Sequence, residues 1–304
     1  MSQPYDLIVI GAGIAGLSAA RQALQSGLST ALMEAQFAGG LVLNINELDG
    51  VMRGSGSDLA ADLMTEVTDL GAETITASAA AIEHGSDAFV VTSDIGAHRA
   101  RTIVIASGAR LKRLGIPGEA ELDGMGVSQC ASCDGPFYQG QDVVVAGGGD
   151  AAVQEALVLA DYARTVHLVH RGARLRAKLH LAERLAGRTN IKVHYHLRVE
   201  AVLGANAVHG VTVRAMDSNA VREIPCGGLF AYVGLAPESE FVPLSVLRDA
   251  NGFLMTDAAL ETAVPRVFAA GAVRAGYGGL LTHAVAEGVT AANSACAAIR
   301  AGHG

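Results

Sequence analysis

Short apolar runs recur along this chain, each stopped by glycine and followed by a stretch of helix-forming composition. Asp6-Leu7-Ile8-Val9-Ile10 is continuously apolar after its first residue, the pattern of a strand buried on both faces. It enters Gly11-Ala12-Gly13-Ile14-Ala15-Gly16, then a helical segment over 17–26 that ends at Gly27. A second strand over 29–33 delivers Glu34, 23 residues after Gly11. The unit then repeats. A strand over 142–146 leads into Gly147-Gly148-Gly149-Asp150-Ala151-Ala152, a helix over 153–163 and a strand over 165–169 that ends at His170-Arg171. Residues 88–93 and 102–107 read as further strands, the latter ending in Ser107-Gly108-Ala109. Near the end, residues 267–271 form a strand-to-turn element. It precedes a helix over 283–300, whose small residues Ala284, Ala286, Ala291 and Ala292 allow close packing.

Two such units predict an α/β protein of two Rossmann-like dinucleotide-binding domains, the second inserted into the first. Residues 1–113 and 249–304 are expected to form one domain and 114–248 the other, joined at 111–115 and 245–252. The 304 residues suffice for two cores. Tryptophan is absent and aromatics make up 4%, so those cores must be built from Ala, Val, Leu and Ile. Thirty-seven glycines against seven prolines indicate tight turns and close backbone approaches. No apolar run reaches the roughly 18 residues of a spanning helix. The opening residues lead directly into a strand without a secretory leader, so a cytoplasmic location is expected. A net charge of −8 disfavours nucleic acid or an anionic membrane as partner.

The glycines of the first unit each have a physical task. Gly11 makes the turn, Gly13 lets backbone approach a pyrophosphate, and Gly16 permits close helix–strand packing, while Glu34 suits ribose hydroxyls. The second unit carries Arg171 where the first carries Glu34. Together with Arg174 and Arg176 it suits a ribose phosphate, the alternative being a solvated basic loop. The first site therefore favours FAD or NAD and the second NADPH, the combination of an electron-transfer flavoprotein.

Cys130 and Cys133 form a C-x-x-C pair beside Asp134, whereas Cys226 and Cys296 stand alone. Such a pair reads as redox-active, with half a zinc site or two inert thiols as alternatives. Zinc needs four ligands, and neither remaining cysteine lies in a second paired motif, so no metal is expected. His194 and His196 are expected on one strand, with no metal role.

The segment from Gly126 through Cys130-Ala131-Ser132-Cys133-Asp134-Gly135-Pro136-Phe137-Tyr138 resembles the low-molecular-weight thioredoxin reductase family. The likeness continues through Gly140, Asp142, the 147–150 loop, His170-Arg171 and Arg176. It takes in the first glycine fingerprint, residues 230–237 and 268–271. The resemblance implies electron flow from NADPH through FAD to the Cys130–Cys133 disulfide, and on to thioredoxin or another protein disulfide. It implies that Cys133 faces the flavin, that Cys130 attacks the substrate disulfide, and that Asp134 is the acid–base group. Carried over position by position, it implies FAD contacts at Gly11, Gly13, Ile14, Ala15, Gly16, Glu34, Ala35, Gly40, Leu41, Asn46, Ala106, Ser107, Gly108, Gly271, Ala272, Gly279 and Leu280. The implied NADPH contacts are Gly147, Gly149, Asp150, Ala151, His170, Arg171 and Arg176. A homodimer and rotation of one domain against the other are implied too.

Four positions depart from the family's pattern. Ala272 replaces an acid, Leu41 a glutamine, Gly278-Gly279 an Arg-Gln pair and Gly172 a second arginine. A single lost contact of this kind is worth about 1–2 kcal/mol. His283, at the start of the final helix, is either a flavin-tuning group or a helix-start residue. The departures keep other functions in view: a flavin dithiol oxidase, a disulfide reductase fed by another donor such as ferredoxin, or a non-catalytic redox sensor.

Overall fold

A computed structural model describes residues 3–45, 48, 54–85 and 87–301. The chain divides into two compact units, Met1–Arg110 with Ala236–Gly304, and Leu111–Leu235.

The first unit opens with β1 (Tyr5–Ile10), α1 (Ile14–Gln25) and β2 (Thr30–Glu34), then α2 (Gly56–Asp69) and β3 (Glu73–Thr76). A hairpin of β4 (Ala79–His84) and β5 (Phe89–Ser93) leads to the long β6 (Gly96–Ile105). After the short β7 (Ala109–Leu111) the chain leaves this unit. The second unit holds β8 (Val127–Ser128), α3 (Ala131–Asp134), β9 (Asp142–Gly147), α4 (Asp150–Leu159) and β10 (Thr165–Val169). Next come α5 (Leu179–Ala186), β11 (Ile191–His194), β12 (Leu197–Gly204), β13 (Val208–Ala215), β14 (Val221–Pro225) and β15 (Gly228–Tyr232). The short β16 (Leu235–Pro237) returns the chain, and β17 (Val267–Ala269) and α6 (Leu281–Ala301) complete the first unit.

The first sheet runs β3-β2-β1-β6-β5-β4, with β17 also on β6. β6 does two jobs. Its residues 96–100 pair antiparallel with β5, and its residues 103–105 pair parallel with β17. Side-chain alternation explains why β1 is apolar without interruption. Leu7 and Val9 enter the core shared with α1 and α6, while Ile8 and Ile10 enter the core on the opposite face. β9 repeats the arrangement in the parallel sheet β11-β10-β9-β15-β8, sending Val143 and Val145 to one core and Val144 and Ala146 to the other. A separate antiparallel sheet, β12-β13-β14, covers the second of these cores.

Both fingerprint helices start three residues earlier than expected. Leu17 N donates to Gly13 O at 2.9 Å and Val153 N to Gly149 O at 3.1 Å, so each helix begins at its glycine loop. The return connection falls near residue 236, not in 245–252. Val242 and Val246 pack into the first unit's core, and the Arg248 guanidinium donates to the carbonyls of Ser239, Val242, Pro243 and Val246. The outward connection is held in place by Glu119, 3% exposed, which accepts from the amides of Leu114 and Gly115. His196 is not on the strand of His194; it takes the left-handed conformation, φ +53°, in the following turn.

Candidate active site

Three constellations of candidate residues stand out, one in the first unit and two in the second. In the first, β1 runs into Gly11, whose φ is +102°, and a Cβ there would lie 2.4 Å from Ala106 O. Only glycine makes this turn. A Cβ on Gly16 would lie 1.9 Å from Gly11 O, so its absence lets α1 sit against the loop. Gly13 differs: a Cβ would meet nothing nearer than Gly39 O at 3.9 Å, so bare backbone borders open space. Glu34 closes the motif, accepting from Ala12 N at 2.8 Å and Gln36 N at 3.0 Å.

These residues edge a cavity of about 200 Å³ that brings together Gly11, Gly13, Ile14, Ala15, Glu34 and Gly40. Leu41, Ala106, Ser107, Gly108, Gly271 and Ala272 complete the expected part of its lining. Ala35 lies just past β2 and exposed, and Gly279 and Leu280 are exposed outside the cavity. Asn46 falls outside the described residues. Tyr277, Leu281 and Ala284 also line the space, of which the sequence marked only Ala284, and that as a small packing residue. Tyr277 donates to Leu280 O at 2.8 Å, and burial, helped by Glu287, raises its phenol to about 12. The loop bearing Gly271 and Ala272 is held from behind. Glu287 of α6 accepts from Gly271 N at 2.8 Å and forms a two-point ion pair with Arg274. The glycine cradle, bare backbone and ribose-type acid fit a dinucleotide.

The second glycine loop repeats this logic. Gly147 has φ +154° and a Cβ there would lie 2.4 Å from Tyr232 O, while a Cβ on Gly149 would meet nothing within 4 Å. Beside it is a cavity of about 730 Å³, lined by Gly147, Gly148, His170, Arg171 and Arg176. Gly149, Asp150 and Ala151 lie outside its lining, at the start of α4, where Asp150 accepts from Lys178 N at 2.8 Å. Lys112, Arg113 and Arg198 add positive charge to the wall. Their contribution was invisible in sequence because they come from distant segments. Glu200, the carboxylate of the lining, is held down at about 2 by Arg214 and Arg198. His170 is buried behind the loop, and burial, with Arg176 and Arg171 nearby, holds its imidazole below the usual range. Its ring backs both Gly148 and Gly172: a Cβ would come within 2.3 Å of Nδ1 from the first and 2.8 Å of Nε2 from the second.

The third constellation is the cysteine pair. Cys130 and Cys133 are joined in a disulfide with Cα atoms 5.3 Å apart, at the start of α3. Cys133 is exposed and Cys130 half-buried. Around the bond, Cys130 N donates to Ser128 Oγ at 3.0 Å, Cys133 N to Cys130 Sγ at 3.2 Å and Asp134 N to Cys130 O at 3.1 Å. Ala131 N donates to Glu155 of α4 at 3.3 Å. Tyr138 packs edge-on against Phe230, 5.4 Å between ring centres, fixing the far end of the segment to the sheet. Cys226 and Cys296 are buried, and burial pushes the Cys226 thiol up to about 12, which removes it from thiolate chemistry.

The sequence matches the family model described as pyridine nucleotide-disulphide oxidoreductase over residues 5–288. It is 37% identical to a thioredoxin reductase of Treponema pallidum, over 90% of this chain and 91% of that one. A thioredoxin reductase of Listeria monocytogenes is 36% identical over 89% and 86%. Among solved structures, a Lactococcus lactis thioredoxin reductase superposes with a TM-score of 0.94 at 33% identity, covering 98% of this chain and 99% of that one. That of T. acidophilum superposes with a TM-score of 0.92 at 29% identity, covering 97% and 99%. The chain belongs to the pyridine nucleotide-disulphide oxidoreductase family, as a disulfide oxidoreductase served by a flavin and a pyridine nucleotide.

Proposed function

We propose that this protein is an NADPH-dependent reductase of a protein disulfide, with thioredoxin as the substrate class. The observation that carries the reading is the Cys130–Cys133 disulfide, built into the unit that also holds the cavity lined by Arg171, Arg176 and Arg198. The first unit would hold FAD, with Gly11 and Gly13 at the pyrophosphate, Glu34 on the ribose, and the 106–108 and 271–272 loops around the remainder. The second would hold NADPH, with Gly147 and Gly149 at the pyrophosphate and Arg171 and Arg176 on the ribose phosphate. Bound FAD would supply a two-electron carrier between nicotinamide and disulfide.

The chain's own residues perform the exchange. In the reduced pair, the Cys130 thiolate attacks one sulfur of the partner disulfide and expels the other as a thiolate, leaving a mixed disulfide. Cys133 then attacks Cys130 Sγ, which restores the internal disulfide and releases the partner as a dithiol. Asp134, next in sequence to Cys133, serves as the proton donor for the departing sulfur. A cytoplasmic homodimer is part of the same reading.

A spectrum tests it. The purified protein is expected to be yellow, to bleach anaerobically with NADPH, and to reduce oxidised thioredoxin catalytically. Bleaching by a dithiol alone would replace this reading with a dithiol oxidase. The side chain missing at Gly172 favours testing ferredoxin as donor if NADPH leaves the colour unchanged.

A further inference from the structure

We propose that Glu155 is a positioning residue for the disulfide centre, its carboxyl group both anchoring the start of the C-x-x-C helix and governing how readily Cys130 becomes a thiolate. The proposal rests on the disulfide-exchange reading above.

Glu155 lies in α4, inside a helix that otherwise sends apolar side chains to the core, and its carboxylate accepts the amide of Ala131, the residue bonded to Cys130. Tyr232, 7% exposed at the end of β15, sets its hydroxyl beside the same carboxylate and amide, short of a full hydrogen bond. Burial raises the Glu155 carboxyl to about 6, against the opposing pull of the Ala131 amide and the Tyr232 hydroxyl. Burial and then Glu155 raise the Tyr232 phenol well above its ordinary value. Among the described residues, the ionisable groups on this side are Glu155, Tyr232, Tyr138, Asp134 and the two sulfurs. The other elements against α4 present apolar side chains: Val143 and Val145 from β9, Val166 and Leu168 from β10, Leu181 and Leu185 from α5.

The exchange chemistry gives this arrangement a purpose. Two electrons break the S–S bond and leave two negative sulfurs. One proton converts one of them to a thiol, and the other remains a thiolate. An ionised Glu155 one peptide away opposes that thiolate, whereas a protonated Glu155 tolerates it while its carbonyl oxygen still accepts from Ala131. Cys130 and Glu155 thus titrate as a coupled pair, and the reduced centre holds a proton on one or the other.

Glu155→Gln separates charge from anchoring, since the amide oxygen can still accept from Ala131; Glu155→Ala removes both. The whole protein is reduced with dithiothreitol, which bypasses flavin and nucleotide, so failure here is distinct from failure of the NADPH reading. Iodoacetamide trapping is then followed separately on the Cys130 and Cys133 peptides by mass spectrometry from pH 5 to 9. Wild type is expected to show a Cys130 profile broader than a one-proton curve. Both variants should sharpen it and move it to lower pH, with about three- to tenfold faster Cys130 trapping at pH 7. A Glu155→Gln profile superimposable on wild type, with only Glu155→Ala altered, would reduce Glu155 to an anchor and overturn the proposal.

Discussion

The imidazole of His170 fills the space where a side chain at position 172 would start, its Nε2 lying 2.8 Å from the position of a Cβ on Gly172. The same ring is wedged against Gly148 on its other side, so it has little room to retreat. A side chain at position 172 therefore cannot start without displacing this ring. Gly172→Arg alone is expected to weaken NADPH binding and to cost about 1–3 kcal/mol of stability through overpacking. Combined with His170→Ala it should recover NADPH affinity relative to Gly172→Arg. Nucleotide dissociation constants and urea unfolding of the two variants decide the matter; improved binding by Gly172→Arg alone contradicts it.

Gly11 and Gly13 should fail in different ways. Gly11→Ala places a methyl against the Ala106 carbonyl at φ +102° and is expected to yield little folded protein. Gly13→Ala meets no such obstacle, so it should fold with wild-type stability yet hold FAD about tenfold more weakly, because the methyl enters the space beside the backbone. Dialysis followed by absorbance, with circular dichroism for the fold, separates the outcomes.

Breaking the Arg274–Glu287 pair should be costly. Their side chains are only 16% and 13% exposed, and Glu287 also holds the Gly271 amide. Glu287→Ala leaves a largely buried guanidinium and a free amide, a loss of about 3–5 kcal/mol. Chemical denaturation should show that loss, together with poorer retention of flavin.

The two glycine units and the cysteine motif were legible in the sequence because their signals are local. Each strand, turn and helix start lies within a few residues, and the apolar runs follow from burial on both faces. The return connection was misread for the opposite reason. Gly252 and the exposed Leu244 and Leu247 look like linker, while the four carbonyls gathered by Arg248 are tertiary contacts with no pattern of their own. Lys112, Arg113 and Arg198 in the basic cavity beside Gly147, Glu155 behind the cysteines and His170 behind Gly172 were missed or undervalued because each acts across the fold.

Stability should fall in mild acid through the pair His167 and His194, whose ring nitrogens meet at 2.9 Å across β10 and β11. Burial, followed by His167, Arg222 and Lys192, lowers His194 to about 4; burial also lowers His167, against the pull of Asp142. A histidine depressed in the folded state is neutral there but takes a proton in the unfolded chain below about pH 6.5. Its contribution is complete above that pH and is lost progressively as pH falls toward 4. Urea midpoints are expected to drop across this window, and His194→Gln should flatten the drop. An unchanged slope in the variant would assign the acid sensitivity to other groups.

The first unit is assembled from both ends of the chain, with α1 seated against α6 through the contact of Gly288 with the Ala15 carbonyl. During synthesis, therefore, Leu7, Val9 and Leu17 emerge about 270 residues before the helix that covers them. The inserted unit is continuous and can collapse as soon as its last strand leaves the ribosome. The half-built first unit has to wait with its apolar face open. Nascent chains halted before α6 are expected to be protease-resistant in the inserted unit and to need chaperone protection in the other, so the order of ribosomal emergence is itself a constraint on how this protein can be produced without aggregating.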